Sequence, residues 1–243
     1  MKTISIKLII LLTPILFFGL TSCLKDDGCV IGNGVKVTEE RKEDDFNAVS
    51  VIGDYFQVSV HIGDSATNMI LEGESNILDQ LHRQYSDELD IQTYEDVCIE
   101  PTLPIKVDVF APQINKIALT GQSSITTDTI VNDHFRVYMF GGGVAKAIII
   151  TDSLNLFAHS RGLIELEGVA NRSYMTIYDD VTVKSYPLKQ DTCFVSIFGP
   201  GKVYVHVENY LNVTIGGDGI VYYKGNPATI ETDITGNGKV IQE

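Results

Sequence analysis

Apolar and polar residues alternate through most of the second half of the chain, and short turns interrupt the alternation at a nearly constant interval. Strict alternation is typical of β-strands. A fixed repeat of about twenty residues is typical of a solenoid, in which each repeat forms one coil. Equivalent turn positions, separated by 20, 19, 19, 20, 18 and 19 residues, are Gly121, Gly141, Ser160, Asp179, Gly199, Gly217 and Gly236.

Three positions counted from these turns hold apolar residues in almost every coil. Residues two apart in a strand point to the same side, so the three columns predict the inward face of the coils. The column two residues before the turn contains Leu119, Met139, Ala158, Ile177, Ile197, Ile215 and Ile234. The column four residues after it contains Ile125, Ala145, Ile164, Val183, Val203, Val221 and Val240. The column four residues before it contains Ile117, Val137, Leu156, Met175, Val195, Val213 and, as its one polar member, Thr232.

These columns predict an all-β fold, a single-stranded parallel β-helix (β-solenoid) with coils of about 19 residues over residues 104–243. Each strand would pair with the coil above and the coil below around an aliphatic core. We expect glycine at the turns because glycine takes positive φ without a Cβ penalty, and Asn and Asp tolerate positive φ better than most other residues. No Lys-Ser/Thr pair follows these glycines, which argues against a phosphate-binding loop.

Residues 33–103 have a different pattern. The alternation predicts short strands at Phe46–Ile52, Tyr55–Ile62, Asn68–Leu71 and Leu89–Thr93, and apolar spacing predicts a helix over Ser75–Gln84. Two arrangements fit this segment. It forms either an N-terminal β-rich head that caps the solenoid, or irregular first coils with longer excursions. A cap is physically expected, since the end of a parallel ladder exposes unpaired backbone groups.

Outward positions of the middle coils are rich in aromatic side chains. By the same alternation, residues one and three before each turn point away from the core. The residues concerned are Tyr138, Phe140, Phe157, His159, Tyr178 and Phe198. Stacked about 4.8 Å apart, they would form an apolar ribbon able to bind a glycan, a matrix component or a partner protein. Alternatively, a loop, the head or self-association covers the ribbon, or the alternation slips by one residue near Tyr178.

The first residues resemble an export signal. Lys2 and Lys7 precede the apolar run Leu8–Leu20, which is shorter than the roughly 20 apolar residues of a membrane span. Leu20-Thr21-Ser22-Cys23 resembles a bacterial lipobox, which predicts a lipoprotein signal peptide at 1–22 and a lipid anchor on Cys23. An ordinary signal with a chance cysteine is the alternative.

Residues 23–32 would then form a lipidated tether to the membrane. Lys25-Asp26-Asp27 resembles the lysine-plus-acid tag of lipoproteins sent to the outer face of the outer membrane, although charged runs are also common in plain tethers. The sequence thus predicts a protein that is lipid-anchored in the outer membrane and faces the cell exterior.

The net charge and the cysteine content limit which partners, metals and cofactors the protein is expected to bind. The formal net charge of −14 argues against nucleic acid as a partner, because phosphate backbones would be repelled. Cys29 and Cys98 could pair as a disulfide in an oxidising envelope, and Cys193 is interpreted as a core residue. The cysteines and histidines lack metal-ligand spacing. No metal and no cofactor are therefore predicted.

Several short motifs occur in an order that resembles a known family. They are Ile31-Gly32-Asn33-Gly34, Phe46-Asn47-Ala48-Val49, Val58-Ser59-Val60, Glu74-Ser75-Asn76-Ile77-Leu78, Pro104-Ile105-Lys106-Val107 and Leu211-Asn212-Val213-Thr214-Ile215. Together they resemble the family described as "putative auto-transporter adhesin, head GIN domain", Gram-negative envelope proteins that include many lipoproteins. The resemblance covers residues 31–243 and implies a right-handed parallel β-helix without catalytic activity and with an adhesive or ligand-binding role.

Three functions are compatible with these observations. The first is a non-catalytic surface adhesin or ligand-binding module. The second is a structural envelope protein, and the third is a glycan-active β-helix enzyme. Such an enzyme needs converging acidic groups, whereas Asp179 and Asp180 are adjacent in a turn and Asp152, Glu165, Glu167 and Asp191 are scattered. The sequence therefore predicts that the protein is not an enzyme.

Overall fold

The computed structural model describes residues 28–63, 67–82 and 87–243. The predicted signal peptide at 1–22, the predicted anchor Cys23 and the Lys25–Asp27 tag lie outside the described residues. Within the described ranges, no helix is long and apolar enough to cross a membrane.

The fold is almost entirely β-structure. The one helix among the described residues, α1, covers Ser75–Leu78. The strands are β1 (Val30–Ile31), β2 (Lys36–Lys42), β3 (Ala48–Ile52), β4 (Phe56–Ile62), β5 (Asn68–Glu74), β6 (Leu81–His82), β7 (Glu88–Thr93), β8 (Ile99–Glu100), β9 (Ile105–Ala111), β10 (Lys116–Thr120), β11 (Ser124–Phe140), β12 (Val144–Ala158), β13 (Gly162–Ile177), β14 (Val181–Ile197), β15 (Lys202–Ile215), β16 (Ile220–Lys224), β17 (Thr229–Ile234) and β18 (Lys239–Gln242).

The predicted β-solenoid is confirmed. Strands β10 to β18 stack as parallel neighbours, and β11 to β15 are long strands that each run from one turn of the coil to the next. The column before the turns pairs in register from Leu119 through Met139 and Ala158 to Ile215. These four side chains are 0% exposed. In the last coil, Ile234 continues the register but is 39% exposed.

The N-terminal part supplies two further coils, and their order in space differs from their order in the chain. The coil formed by β3 and β4 lies next to the β10–β11 coil. The coil formed by β7 and β9, which follows in sequence, pairs with the opposite edge of β3 and β4 and is the end coil. The chain then crosses back over the first coil, where the Asn115 amide donates to the Asn47 carbonyl at 2.7 Å.

Beyond the end coil, antiparallel strands close the ladder. β5 pairs antiparallel with β9, β2 pairs antiparallel with β5, and β6 pairs antiparallel with β7. Of the two arrangements considered for residues 33–103, the structure contains elements of both: irregular coils and a cap. One apolar core runs without a break from Phe46 to Tyr223.

The expected helix over Ser75–Gln84 is wrong in length. Four residues are helical, and the chain then extends as β6, because Leu81 pairs with Thr93 across the end of the sheet. Ile77 and Leu78, the apolar residues of that spacing, are both fully buried. The apolar spacing therefore correctly indicated which residues are buried. It did not indicate a long helix, because pairing of Leu81 with Thr93 at the end of the solenoid takes the place of further helical turns. The short strands expected around this segment are confirmed.

A buried carboxylate holds the N-terminal strip against the cap. Glu74 is 0% exposed and accepts hydrogen bonds from the amides of Gly34 (2.6 Å), Thr102 (2.7 Å) and Leu103 (3.2 Å). The Thr102 hydroxyl also donates to it at 2.6 Å. The Thr102 hydroxyl, followed by these backbone amides, lowers the pKa of Glu74 to about 2, against the opposing effect of burial. A disulfide between Cys29 and Cys98 and the short β1–β8 pairing hold the same strip.

Glu74 is expected to make stability depend on pH. Its pKa is lower in the folded chain than in the unfolded chain, so its contribution is complete above pH about 4.5 and is lost as the pH falls towards 2. Glu74→Gln places an amide N–H₂ opposite several donors. We expect its melting temperature to lie more than about 5 °C below wild type at pH 7, with the gap narrowing below pH 4.5. The matched control is exposed Glu167→Gln, and an equal, pH-independent deficit in both variants would contradict this role.

Positive φ explains only some of the glycines in the turns, contrary to the expectation that it would explain most of them. Gly121 has a φ of +106°, but Gly141 lies outside the left-handed region. Positive φ is instead adopted by two non-glycine turn residues, Ser160 at 98° and Asp179 at 57°. A Cβ on Gly141 would lie 2.2 Å from the carbonyl oxygen of Gly121 in the coil below. Close backbone approach between stacked turns, more than positive φ, therefore selects glycine at 141.

Gly141→Ala and Gly142→Ala form a matched test. The first forces a methyl group onto backbone and should destabilise the fold by about 1–3 kcal/mol. At Gly142 the nearest atoms belong to the side chain of Gln122, which can move away. Its replacement should therefore cost less than about 1 kcal/mol. Urea unfolding measures both, and equal losses would show that turn contact is not the cause.

Candidate ligand-binding surface

The predicted aromatic residues lie on one outward face, on the strand segments that lead into the turns. We call the set Tyr138, Phe140, Phe157, His159, Tyr178 and Phe198 the aromatic ribbon. Their neighbours in sequence, such as Met139 and Ile177, point into the core and are fully buried. Because alternation is kept through Ile177, which pairs with Ile197, the ribbon stays in phase at Tyr178. The alternative of a one-residue slip there is wrong.

Ring contacts connect all six residues. Tyr178 stacks on Phe198 with ring centroids 5.1 Å apart and lies 5.5 Å from Phe157. Phe157 lies 5.7 Å from Phe140, which lies 6.5 Å from Tyr138. The His159 ring is 6.0 Å from that of Tyr178. Several contacts are diagonal between neighbouring coils, so the ribbon follows a zigzag and not a straight column. These spacings suit attractive aromatic packing.

The ribbon is accessible to solvent in the isolated chain. Phe140 is 45% exposed and Phe198 is 49% exposed, and Tyr138, Phe157 and Tyr178 are partly exposed. Within the described ranges, neither the cap nor a loop covers it. His159 adds a polar edge, with its Nε2 3.5 Å from a carboxylate oxygen of Asp179. The structure thus presents an apolar strip with a polar edge near its middle, where His159 and Asp179 lie.

Sequence reasoning missed a second aromatic set on the same face. Tyr174 and Phe194 pair in register on β13 and β14, and their rings stack at 5.0 Å. Tyr210 follows, 5.6 Å from Phe194. These residues also occupy outward positions, five before the turn in the case of Tyr174 and Phe194. Extending the same alternation by two residues would have found that pair.

A third aromatic cluster lies on the strand segments that follow the turns. The rings of Tyr204 and Tyr222 stack at 4.7 Å, and Tyr186 meets Tyr204 edge-on at 5.5 Å. The Lys224 ammonium lies 4.4 Å from the Tyr186 ring centre. Burial, and then the hydrogen bond from its hydroxyl to Glu243, raise the pKa of Tyr186. A recess of about 570 Å³ lies beside Tyr186 and Tyr204.

The acidic residues weighed for catalysis do not all lie in one place. Asp152 and Asp191 lie near the middle of β12 and β14 and line one groove, whereas Glu165 lies apart from them on the strand face between Lys146 and Lys184. These lysines lower the pKa of Glu165. Across the described residues, no group of three or more His, Cys, Asp or Glu side chains could hold a metal ion. Cys193 is fully buried, and burial raises the pKa of its thiol.

The fold and its outward aromatic surface define a parallel β-solenoid protein. The chain belongs to the family described as "putative auto-transporter adhesin, head GIN domain", whose sequence model matches residues 45–227. Membership in this adhesin-like family is consistent with a cell-surface or envelope protein.

Solved structures share the fold. A "putative adhesin" from Bacteroides fragilis superposes with a TM-score of 0.83 over 88% of this chain and 100% of its own, at 18% identity. A "putative lipid binding protein" from Parabacteroides distasonis gives 0.73 over 89% and 100%, also at 18% identity. A "putative adhesin" from Parabacteroides merdae gives 0.71 over 88% and 98%, again at 18% identity. None of the curated proteins matches the chain. At this identity, the likeness to the solved structures concerns the fold.

Proposed function

We propose that the protein is a non-catalytic surface adhesin whose aromatic ribbon binds an extracellular ligand. The observation that carries the proposal is the exposure of Phe140 and Phe198 within a continuous line of ring contacts. Large contiguous apolar patches are uncommon on soluble surfaces and often mark binding sites. Aromatic side chains are also enriched among the residues that dominate binding energy.

The ligand class follows from the shape and chemistry of the ribbon. A flat strip of rings suits the apolar face of a pyranose or an extended segment of a matrix protein, and hydroxyl groups on Tyr138 and Tyr178 supply polar contacts. The family's adhesin description supports this use. The name of the Parabacteroides distasonis structure raises lipid as another ligand, which the experiment below includes as a separate arm.

The ribbon is tested by binding measurements on the chain from residue 24 onward. Arrays of glycans and matrix proteins identify a ligand, and phosphatidylcholine vesicles form the lipid arm. Phe140→Ala with Phe198→Ala should weaken binding at least about tenfold, with little change in melting temperature because both rings are exposed. Tyr204→Ala, an aromatic change outside the ribbon, is the control.

Unchanged binding by the double variant would refute the ribbon, as would an equal loss in Tyr204→Ala. Binding to vesicles alone would replace the adhesin proposal with a lipid-binding one. Absence of any ligand from all three arms would favour the structural envelope protein. Release of shortened oligosaccharides from a bound glycan would favour the enzyme.

We further propose that Cys23 carries lipid and holds the protein on the exterior of the outer membrane. Several acyl chains, each contributing about 0.8 kcal/mol per buried methylene, give firm attachment. Cys23→Ala should move the protein from the membrane fraction to the soluble fraction, while Ser22→Ala, which keeps a small residue before the cysteine, should not. Replacing Lys25, Asp26 and Asp27 with Gln, Asn and Asn should keep the anchor but remove protease accessibility on whole cells. Membrane retention of Cys23→Ala would overturn the anchor.

A further inference from the structure

A groove runs across the middle of the long strands, about halfway between successive glycine-rich turns, where the alternation of buried residues is interrupted (between Thr151 and Leu154 in β12). It crosses β11 to β14 and reaches Glu208 on β15, and its volume is about 720 Å³. None of the ribbon residues lines it. Five neighbouring strands span about 19 Å at the usual spacing of about 4.8 Å. We call this feature the corner groove.

One side of the corner groove is apolar and exposed. Val131, Ile150 and Val169 pair in register on β11, β12 and β13, and they are 62%, 48% and 49% exposed. Inside a solenoid such a column would be ordinary core. On the outside, three stacked aliphatic side chains form an apolar wall that is favourable to cover.

The other side of the corner groove is acidic. Asp133, Asp152, Asp191 and Glu208 line it, and Lys189 is the one basic side chain among the lining residues. Asp133 and Asp152 are exposed and occupy equivalent positions on neighbouring strands, since the pairs on either side of them are in register. Like charges this close repel one another, so a bound cation would relieve the repulsion.

The bottom of the groove is closed by buried residues. Thr151 and Gln190 line the groove although they are 5% and 0% exposed. The Thr151 hydroxyl donates to the side-chain oxygen of Asn132 at 3.0 Å, and the Asn132 amide donates to the Ile114 carbonyl at 2.9 Å. Hydrogen bonds between coils therefore hold the base of the groove in place.

We propose that the corner groove binds an extended cationic amphipathic peptide segment. Its apolar side chains would cover the wall formed by Val131, Ile150 and Val169, and its basic side chains would face the acidic side. An extended chain points alternate side chains to opposite sides, which matches a groove with one apolar and one acidic side. At about 3.3 Å per residue, six or seven residues fill its length. This site lies beyond the proposed adhesive function of the ribbon.

The test uses the chain from residue 24 onward and the peptide Leu-Lys-Leu-Lys-Leu-Lys-Leu with blocked ends. A peptide with Glu in place of Lys controls for charge, and one with all Lys residues first and all Leu residues last controls for pattern at constant charge. We expect fluorescence anisotropy to show binding of the alternating lysine peptide, weakened by raising NaCl from about 50 to about 300 mM. Both control peptides should bind at least about fivefold more weakly.

Variants locate the site. Asp133→Asn with Asp152→Asn should weaken binding at least about threefold, and Ile150→Ser with Val169→Ser should do the same through the apolar wall. Asp180→Asn with Asp218→Asn makes the same charge change at the exposed turns and should have no effect. Phe140→Ala with Phe198→Ala should also leave peptide binding unchanged, which separates this site from the ribbon.

Four results would overturn the proposal. They are no binding of the alternating lysine peptide, equal binding of the block peptide, wild-type affinity in the Asp133 and Asp152 variant, and equal weakening by the Asp180 and Asp218 variant. The last would show that net charge alone attracts the peptide.

Discussion

Parallel pairing between successive coils is the interaction on which the rest of the molecule depends. Each strand bonds to the strand one coil away, so residues at equivalent positions are stacked on one another about 4.8 Å apart. A side chain that is apolar in one coil must therefore meet an apolar side chain in the next, as Leu119 meets Met139 and Met139 meets Ala158. The same stacking brings turn backbones so close that position 141 has no room for a methyl group.

Parallel pairing also leaves an exposed strand edge at the end of the solenoid, and the N-terminal part of the chain covers this edge. A parallel ladder has an edge with unpaired backbone groups, which invites aggregation. Here the chain forms the antiparallel strands β2, β5 and β6 first, then the end coil with β7 and β9, against which β5 and β6 pair, and finally returns across the first coil. Glu74 then joins the cap to the entering chain, because backbone amides of Gly34, Thr102 and Leu103 all donate to it. A buried carboxylate with this many donors is a satisfied group and not a catalytic one.

The sequence predicted the repeating part well, because stacking leaves a periodic signature. The inward columns and the outward direction of Phe140 and Phe198 followed from alternation alone. The end coil was not predictable in this way. Whether β7 pairs with one edge of β3 or the other changes no residue pattern, since both edges accept the same alternation. Glu74 was visible only as part of a family motif, because its donors lie about 30 and 40 residues away in the chain. The helix prediction failed after Leu78, because apolar spacing alone does not distinguish a long helix from a single helical turn with buried side chains.

Outward positions are less constrained than inward ones, so a binding site can arise on the surface without disturbing the core. Stacking constrains only what faces inward or lies in a turn, so an outward column is free to hold any side chain the backbone tolerates. Any repeated outward residue nevertheless becomes a line of neighbours, whether it is aromatic as in the ribbon or aliphatic as at Val131, Ile150 and Val169. A ligand that contacts this surface thus meets rows of like chemistry held at fixed spacing. Because the core on the other side of each strand fixes the backbone of these rows, little backbone ordering remains to oppose binding, which favours affinity for elongated ligands.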